Sequence, residues 1–274
     1  MNARAIFAIV RKDLKVVSRN KGVTLPIIIA PLIMFGVLPW IVALLPFLEE
    51  FFGITTSSLN EIQAMINQMP AGIRQELGGY PSNQAMIIYF LVYMMAPFFL
   101  IIPLMVSSVI AADSFAGEKE RKTMEALLYT PTTDRELFVA KLLSGWLAAL
   151  AVAVVGFALY VVTANAAAWS QMGRIFFPNT MWLVLIFWVV PALPALALGV
   201  MVLVSARAQG FQDAYQIGSI VVLPVILLVF GQISGAMAFS ISLVFLLGLV
   251  IWLLGGLLIW LGSRSFRRSR LLGA

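Results

Sequence analysis

From Asp113 to Lys141 the chain reads Asp-Ser-Phe-Ala-Gly-Glu-Lys-Glu-Arg-Lys-Thr-Met-Glu-Ala-Leu-Leu-Tyr-Thr-Pro-Thr-Thr-Asp-Arg-Glu-Leu-Phe-Val-Ala-Lys. Six of the protein's twelve acidic residues fall there: Asp113, Glu118, Glu120, Glu125, Asp134 and Glu136. Carboxylates at this density, interleaved with cations, would on their own read as a solvated helical connector. Their spacing favours pairing, because Glu118–Lys122 and Arg121–Glu125 are i,i+4 pairs that support a helix modestly. Met124, Leu127 and Leu128 share one face of that helix, which Pro131 must end. Thr133-Asp-Arg-Glu136 is a capping box that starts the next helix. A helix of about ten residues is marginal in water on its own. One that turns Met and Leu toward water calls for a groove on a second protein, as short amphipathic helices use.

Most other chemistry is excluded by residue type. Cysteine and histidine are absent, which removes disulfides, thiolate or imidazole metal sites and every Ser-His or Cys-His dyad. No Gly-x-x-x-x-Gly-Lys-Ser/Thr loop is present to cradle nucleotide phosphates. No ionisable residue lies deep in an apolar stretch, so the usual mark of an ion-coupled carrier is missing, as are the paired groups of an intramembrane hydrolase. Asp113 and Asp213 stand at stretch ends, as gate candidates or as solvated helix-end carboxylates.

The elements that position these residues are set by hydropathy. The chain of 274 residues is 62% hydrophobic and only 11% charged, whereas a soluble domain is about 45–50% apolar and about 25% charged. Six stretches have the length and apolarity of a membrane span: 24–48, 86–112, 140–164, 181–204, 214–231 and 241–262. The first and fourth carry prolines, tolerated in lipid as kinks whose freed carbonyls neighbouring helices satisfy. Polar residues inside the stretches are few (Ser107, Ser108, Thr163, Gln216, Ser219, Gln232 and Ser234) and are expected to hydrogen-bond between helices. Residues 231–241 read as a plain turn or as part of a short re-entrant element.

With six spans, sixteen of the eighteen lysines and arginines fall on one side and only Arg74 and Arg174 on the other. The positive-inside rule then puts both termini in the cytosol, in a multi-pass protein of the cytoplasmic membrane. Its net charge of +6 borders the apolar runs, which fits anionic lipid and not nucleic acid. Residues 1–21 read as an uncleaved amphipathic elbow helix: Phe7, Val10, Leu14 and Val17 recur at helical spacing, and Arg4, Arg11, Lys15 and Arg19 face the headgroups. The outer loop 49–85 contains the capping box Ser58-Leu-Asn-Glu61, which predicts a short amphipathic cap or lid.

The segment Gly117-Glu-Lys-Glu-Arg-Lys-Thr-Met-Glu-Ala-Leu-Leu-Tyr-Thr-Pro131, followed by Glu136-Leu and Lys141, resembles the signature of ATP-binding-cassette type-2 exporter permeases. The layout of elbow, outer loop after the first span, six spans and basic tail is similar too. That family often carries Gly immediately before the Thr, where this chain has Lys122. The resemblance implies an all-α, type V exporter-like permease of one transmembrane domain, 1–274, without catalytic or metal-binding residues of its own. ATP and Mg would sit on a separate cytosolic ATPase, and a second permease copy or paralogue would complete the conduit.

By position, the resemblance makes Thr123, Met124, Glu125, Leu127, Leu128, Tyr129 and Thr130 the coupling helix that docks on that ATPase. Glu118 and Glu120 would lie at the gate turn beneath span two, and Glu136 and Lys141 would anchor span three. The apolar walls favour a lipidic or amphiphilic cargo, an ion-exporting permease being one alternative and a non-transporting scaffold or sensor another. The topology is testable because the chain has no cysteine. An impermeant thiol reagent added to intact cells should label a Ser57→Cys variant and leave Ser269→Cys unlabelled; the reverse pattern, or label at both, refutes six spans.

Overall fold

A computed structural model describes residues 2–44, 64, 74–75, 77–123, 132–234, 237 and 239–265. Helix α1 (Ala3–Arg19) opens on Asn2, whose side chain accepts from the backbone N–H of Arg4 and Ala5. Six further helices are long and apolar enough to cross a membrane: α2 (Lys21–Leu44), α3 (Asn83–Glu120), α4 (Asp134–Ala167), α5 (Thr180–Ser205), α6 (Phe211–Ile233) and α7 (Ile241–Arg264). No strand occurs among the described residues. The protein is therefore an all-α polytopic membrane protein. The predicted outer cap lies largely outside the described residues, which include only 64, 74–75 and 77–85 of the outer loop.

Helix α3 is the axis of the bundle: 83% of its most apolar window is buried, against 33% or less for α2, α4, α6 and α7. It packs on α4, α5, α6 and α2, so its side chains meet protein on most sides. Its 38 residues span about 57 Å at 1.5 Å per residue, well beyond a hydrocarbon core of about 30 Å. The apolar stretch stops at Ala112, yet the helix continues through the charged residues to Glu120. Helix α4 likewise begins at Asp134, before its apolar part. Local capping fixes these ends, not hydropathy: Lys122 turns the chain with φ +56°, and Thr133 with Glu136 completes the expected capping box.

Prolines shape the middle of the bundle. Three π-helical segments, Leu32–Val37, Tyr89–Met94 and Leu185–Val189, lie directly before Pro39, Pro97 and Pro191. Proline has no N–H to donate and its ring collides with the carbonyl one turn back, so the preceding turn widens. The carbonyls left over are taken by neighbouring helices. The Thr163 hydroxyl donates to Phe35, the Tyr160 hydroxyl to Leu91 (2.6 Å) and the Trp182 indole to Val92 (2.7 Å). In lipid no water can substitute for these donors. Around them Phe35, Phe99, Phe157, Tyr160, Phe177 and Trp182 form a contiguous aromatic nest with ring centroids 4.8–6.3 Å apart.

On α1, Ile6, Ile9, Val10 and Leu14 pack against α4, while Phe7 is 69% exposed. One expectation is corrected. The sparse hydroxyls mostly bond within their own helix, Ser107 to Pro103, Ser219 to Gln216 and Ser234 to Gly231, because a serine reaches the preceding turn more easily than a neighbour. Between α6 and α7 the described residues form a close turn. The Met237 N–H donates to Gly231, and the buried Gln232 accepts from the Phe239 N–H at 3.2 Å.

Helices α5 and α7 share the most extensive contact in the bundle. Gly248, Gly255 and Gly262 recur every seventh residue on α7 and meet Trp188, Leu196 and Val202 of α5. Small residues permit this close approach of helix axes, the usual basis of association in lipid. A Cβ on Gly255 would stand 2.9 Å from the Leu196 backbone nitrogen, whereas one on Gly256 would meet nothing. Gly255→Ala should therefore cost about 1–3 kcal/mol through forced separation of the helices. Gly256→Ala should be neutral or gain up to about 1 kcal/mol from helix propensity. Thermal unfolding of the purified protein in detergent compares the two.

Candidate functional site

Helix α1, the end of α3 and the start of α4 meet around the ammonium of Lys141, which has no solvent exposure. An ammonium carries three donors, and each finds an acceptor. They are the Ser114 carbonyl, the Ser114 hydroxyl at 2.9 Å and the Glu118 carboxylate at 2.6 Å. The Phe115 ring closes the site, its centroid 5.4 Å from the Lys141 nitrogen. The second Glu118 oxygen accepts from Lys12 at 2.6 Å, and Lys12 also pairs with Asp13 at 3.0 Å. The other Asp13 oxygen accepts from Ser114 at 3.2 Å and Ser144 at 3.3 Å.

Two cations and two anions thus form a neutral, mostly buried quartet across three helices. A buried ion pair survives desolvation only when its remaining donors and acceptors are also satisfied, and here they are. Burial alone would lower the Lys12 ammonium pKa. Hydrogen bonds and charge from Glu118 and Asp13 outweigh that and raise it above the ordinary lysine value, so the residue stays charged at physiological pH.

The backbone of α3 adapts to this cluster. Asp113–Gly117 is π-helical although no proline follows, unlike the other three such segments. The widened turn buries all five residues and brings the Ser114 carbonyl to Lys141. Arg121 folds back over Gly117 to pair with Asp113 at 2.9 Å; a Cβ on Gly117 would stand 3.2 Å from the guanidinium. Gly117 admits that crossing because it has no side chain. Lys122 then takes the left-handed conformation that favours glycine, at the position where the resembled permeases carry one.

The sequence-derived candidates divide into three groups. Glu118 and Lys141 stand at the centre of the quartet, and Asp113, expected to be a gate or solvated group, is buried against Arg121. Glu120 accepts from the Phe211 N–H at 2.9 Å and Asp213 from the Gln209 N–H at 3.0 Å. Both therefore organise the turn between α5 and α6. Lys119 adds a bond to the Ala208 carbonyl in that turn. Glu136 caps α4 and also accepts from the Asn2 N–H, tying the start of α1 to the start of α4. Thr123 is exposed, its hydroxyl 3.3 Å from the Glu118 carbonyl. Met124, Glu125, Leu127, Leu128, Tyr129 and Thr130 lie outside the described residues.

Sequence reasoning missed Lys12, Asp13, Ser114 and Ser144. A signal for Asp13 was present: it is the only acid in the first 48 residues, and it falls four residues after Ile9 on the apolar side of α1. No pattern in the sequence pointed to the two serines.

Six apolar helices, with charged contacts that tie α1, α3, α4 and the turn between α5 and α6 at one end, define a multi-pass membrane protein. The sequence matches the ABC-2 family transporter protein family over residues 7–264, from inside α1 to the last residue of α7, and the chain belongs to that family. No curated protein matches it significantly. The chain is thus a permease component of an ABC transporter.

Removing Lys141 strands part of the Glu118 charge in a dry site. Lys141→Met should cost about 3–5 kcal/mol, toward the lower figure because Lys12 still pairs with Glu118. Adding Glu118→Leu removes the stranded carboxylate and should recover most of the loss. Thermal unfolding of the single and double variants in detergent measures both; equal losses in the two would show that packing and not charge pairing holds the site.

Proposed function

We propose that this permease exports its substrate across the cytoplasmic membrane by alternating access, driven by a separate cytosolic ATPase. The observation that carries the proposal is the collar around the segment after Lys122. One end of that segment leaves α3 at a left-handed turn beneath the quartet, and the other enters α4 through the Thr133–Glu136 capping box. A docking helix mounted this way pushes on α3 and α4 together, and through Lys12 and Asp13 on α1 as well. A merely solvated connector would need no such anchoring.

In this reading both termini and the 123–131 segment are cytosolic, and Met124, Leu127 and Leu128 fill an ATPase groove. ATP and Mg are held by that partner, and this chain performs no catalysis. Closure of two ATPases rocks the docking helices, so that the permease halves alternate between inward and outward openings. The second half is another copy or a paralogue, since a two-fold assembly is the common route to a closed conduit. The outer faces of α2, α6 and α7, largely apolar and exposed, are available to lipid and to that partner.

The test is the Leu127→Ala, Leu128→Ala double variant. Each fully buried leucine contributes about 1.5–3 kcal/mol, and every 1.4 kcal/mol weakens association about tenfold. Co-purification with the cognate ATPase and substrate-stimulated ATP hydrolysis should collapse, while thermal stability of the permease in detergent stays unchanged. Normal ATPase recovery and transport would return the segment to a solvated connector.

A further inference from the structure

At the end of the bundle away from the charge collar, a cavity of about 240 Å³ lies between the start of α3 and the loop entering α5. Its inner wall is apolar: Ile88 and Val92, both buried, and Phe176. Its remaining lining is Tyr80, Arg174, Asn179 and the three-quarters exposed Ile175. Val92 stands 26 residues before Glu118 on one helix, which separates the cavity from the collar by about 39 Å. The two sites thus sit near opposite membrane surfaces.

The polar groups of the cavity are nearly all donors. The Arg174 guanidinium lies over the Tyr80 ring, 5.2 Å from its centroid, and makes no ion pair among the described residues. That stacking leaves the in-plane N–H groups available for a forked contact with an oxyanion. Asn179 spends its carbonyl oxygen on the Trp182 N–H at 3.1 Å, which leaves its amide N–H groups. No carboxylate is among the described residues that line the cavity. A donor-rich mouth, a cation with no ion pair among the described residues and an apolar floor of about one helical turn from Ile88 to Val92 together select an anionic head carrying an apolar tail.

We propose that this cavity binds the headgroup of an anionic phospholipid, its phosphate at Arg174 and Asn179 and the first part of its chain along Ile88 and Val92. The site gives the amphiphile reading of this permease a definite chemical class. It depends on the membrane placement of α3 and α5 and not on ATPase coupling.

The experiment uses the purified permease in an uncharged maltoside detergent. Binding of dioctanoyl phosphatidylglycerol is measured by calorimetry, beside dioctanoylglycerol and inorganic phosphate. Wild type should bind the phospholipid at least tenfold more tightly than either control. Arg174→Gln should weaken it about ten- to hundredfold, the range for a charged hydrogen-bonding group, while Arg174→Lys should lose less, keeping the charge but not the forked, stacked contact. Ile175→Glu, at an exposed position, should weaken binding by repulsion without touching the fold, which unfolding in lipid-free detergent checks.

Equal affinity of wild type and Arg174→Gln, or equal binding of the neutral glyceride, would overturn the site. Phosphate binding as tight as the phospholipid would overturn its lipid assignment. Because no ATPase is present in this assay, normal ATPase recovery and transport in the Leu127→Ala, Leu128→Ala variant with phospholipid binding intact would refute the export mechanism alone.

Discussion

The charged end of this protein depends on one buried ammonium. Lys141 is inserted where three helices converge, and every other feature there can be read as a consequence of satisfying it. Glu118 must ionise beside it, the α3 backbone must widen to offer the Ser114 carbonyl, and the second Glu118 oxygen must find Lys12. Each answer recruits a further helix. Lys12 brings α1, Asp13 follows to balance the charge, and Ser144 returns the chain of contacts to α4. Burying a lone charge is prohibitive, so the set holds as a unit; loss of one member is felt by all.

That unity has a mechanical meaning. Apolar contacts between helices in lipid are non-directional, and two helices can slide with little change in energy. A hydrogen-bonded ionic quartet has a definite geometry and resists sliding. It is placed at the end of α3, the most buried helix, whose other end carries the aromatic nest and the carbonyl-binding Tyr160 and Trp182. A displacement of the charged end is therefore handed to a rod gripped along its whole length. The α1 helix is pinned to the same rod by Lys12 and Asp13.

Much of this was legible in the sequence, and the reasons differ by residue. The six spans were readable because composition alone forces them, and the capping box at Thr133 because it is a local pattern. Lys141 stood out as a charge at the margin of an apolar run. The extension of α3 to Glu120 was not readable, since hydropathy marks where lipid ends and not where a helix ends. Asp13 was hidden by the basic residues around it, which make α1 look like a simple interfacial helix. Lys122 reads as a departure from the family's glycine, yet the left-handed turn persists there; the backbone requirement outlasts the residue that meets it most easily.

The four π-helical segments separate these two kinds of information. Three precede a proline, so a single residue type predicts where the backbone loses a donor, and the protein then answers with an indole or hydroxyl from across the bundle. The fourth, Asp113–Gly117, has no proline and cannot be explained locally. It is widened by a demand from α4, the need of Lys141 for a carbonyl. A distortion with a local cause belongs to folding. One imposed from a neighbouring helix stores a dependence between the two, because the widened turn of α3 loses its partner if α4 moves away. The charged end of the bundle is consequently where motion of one helix obliges another to respond, and it is the end that carries the segment between Lys122 and Thr133.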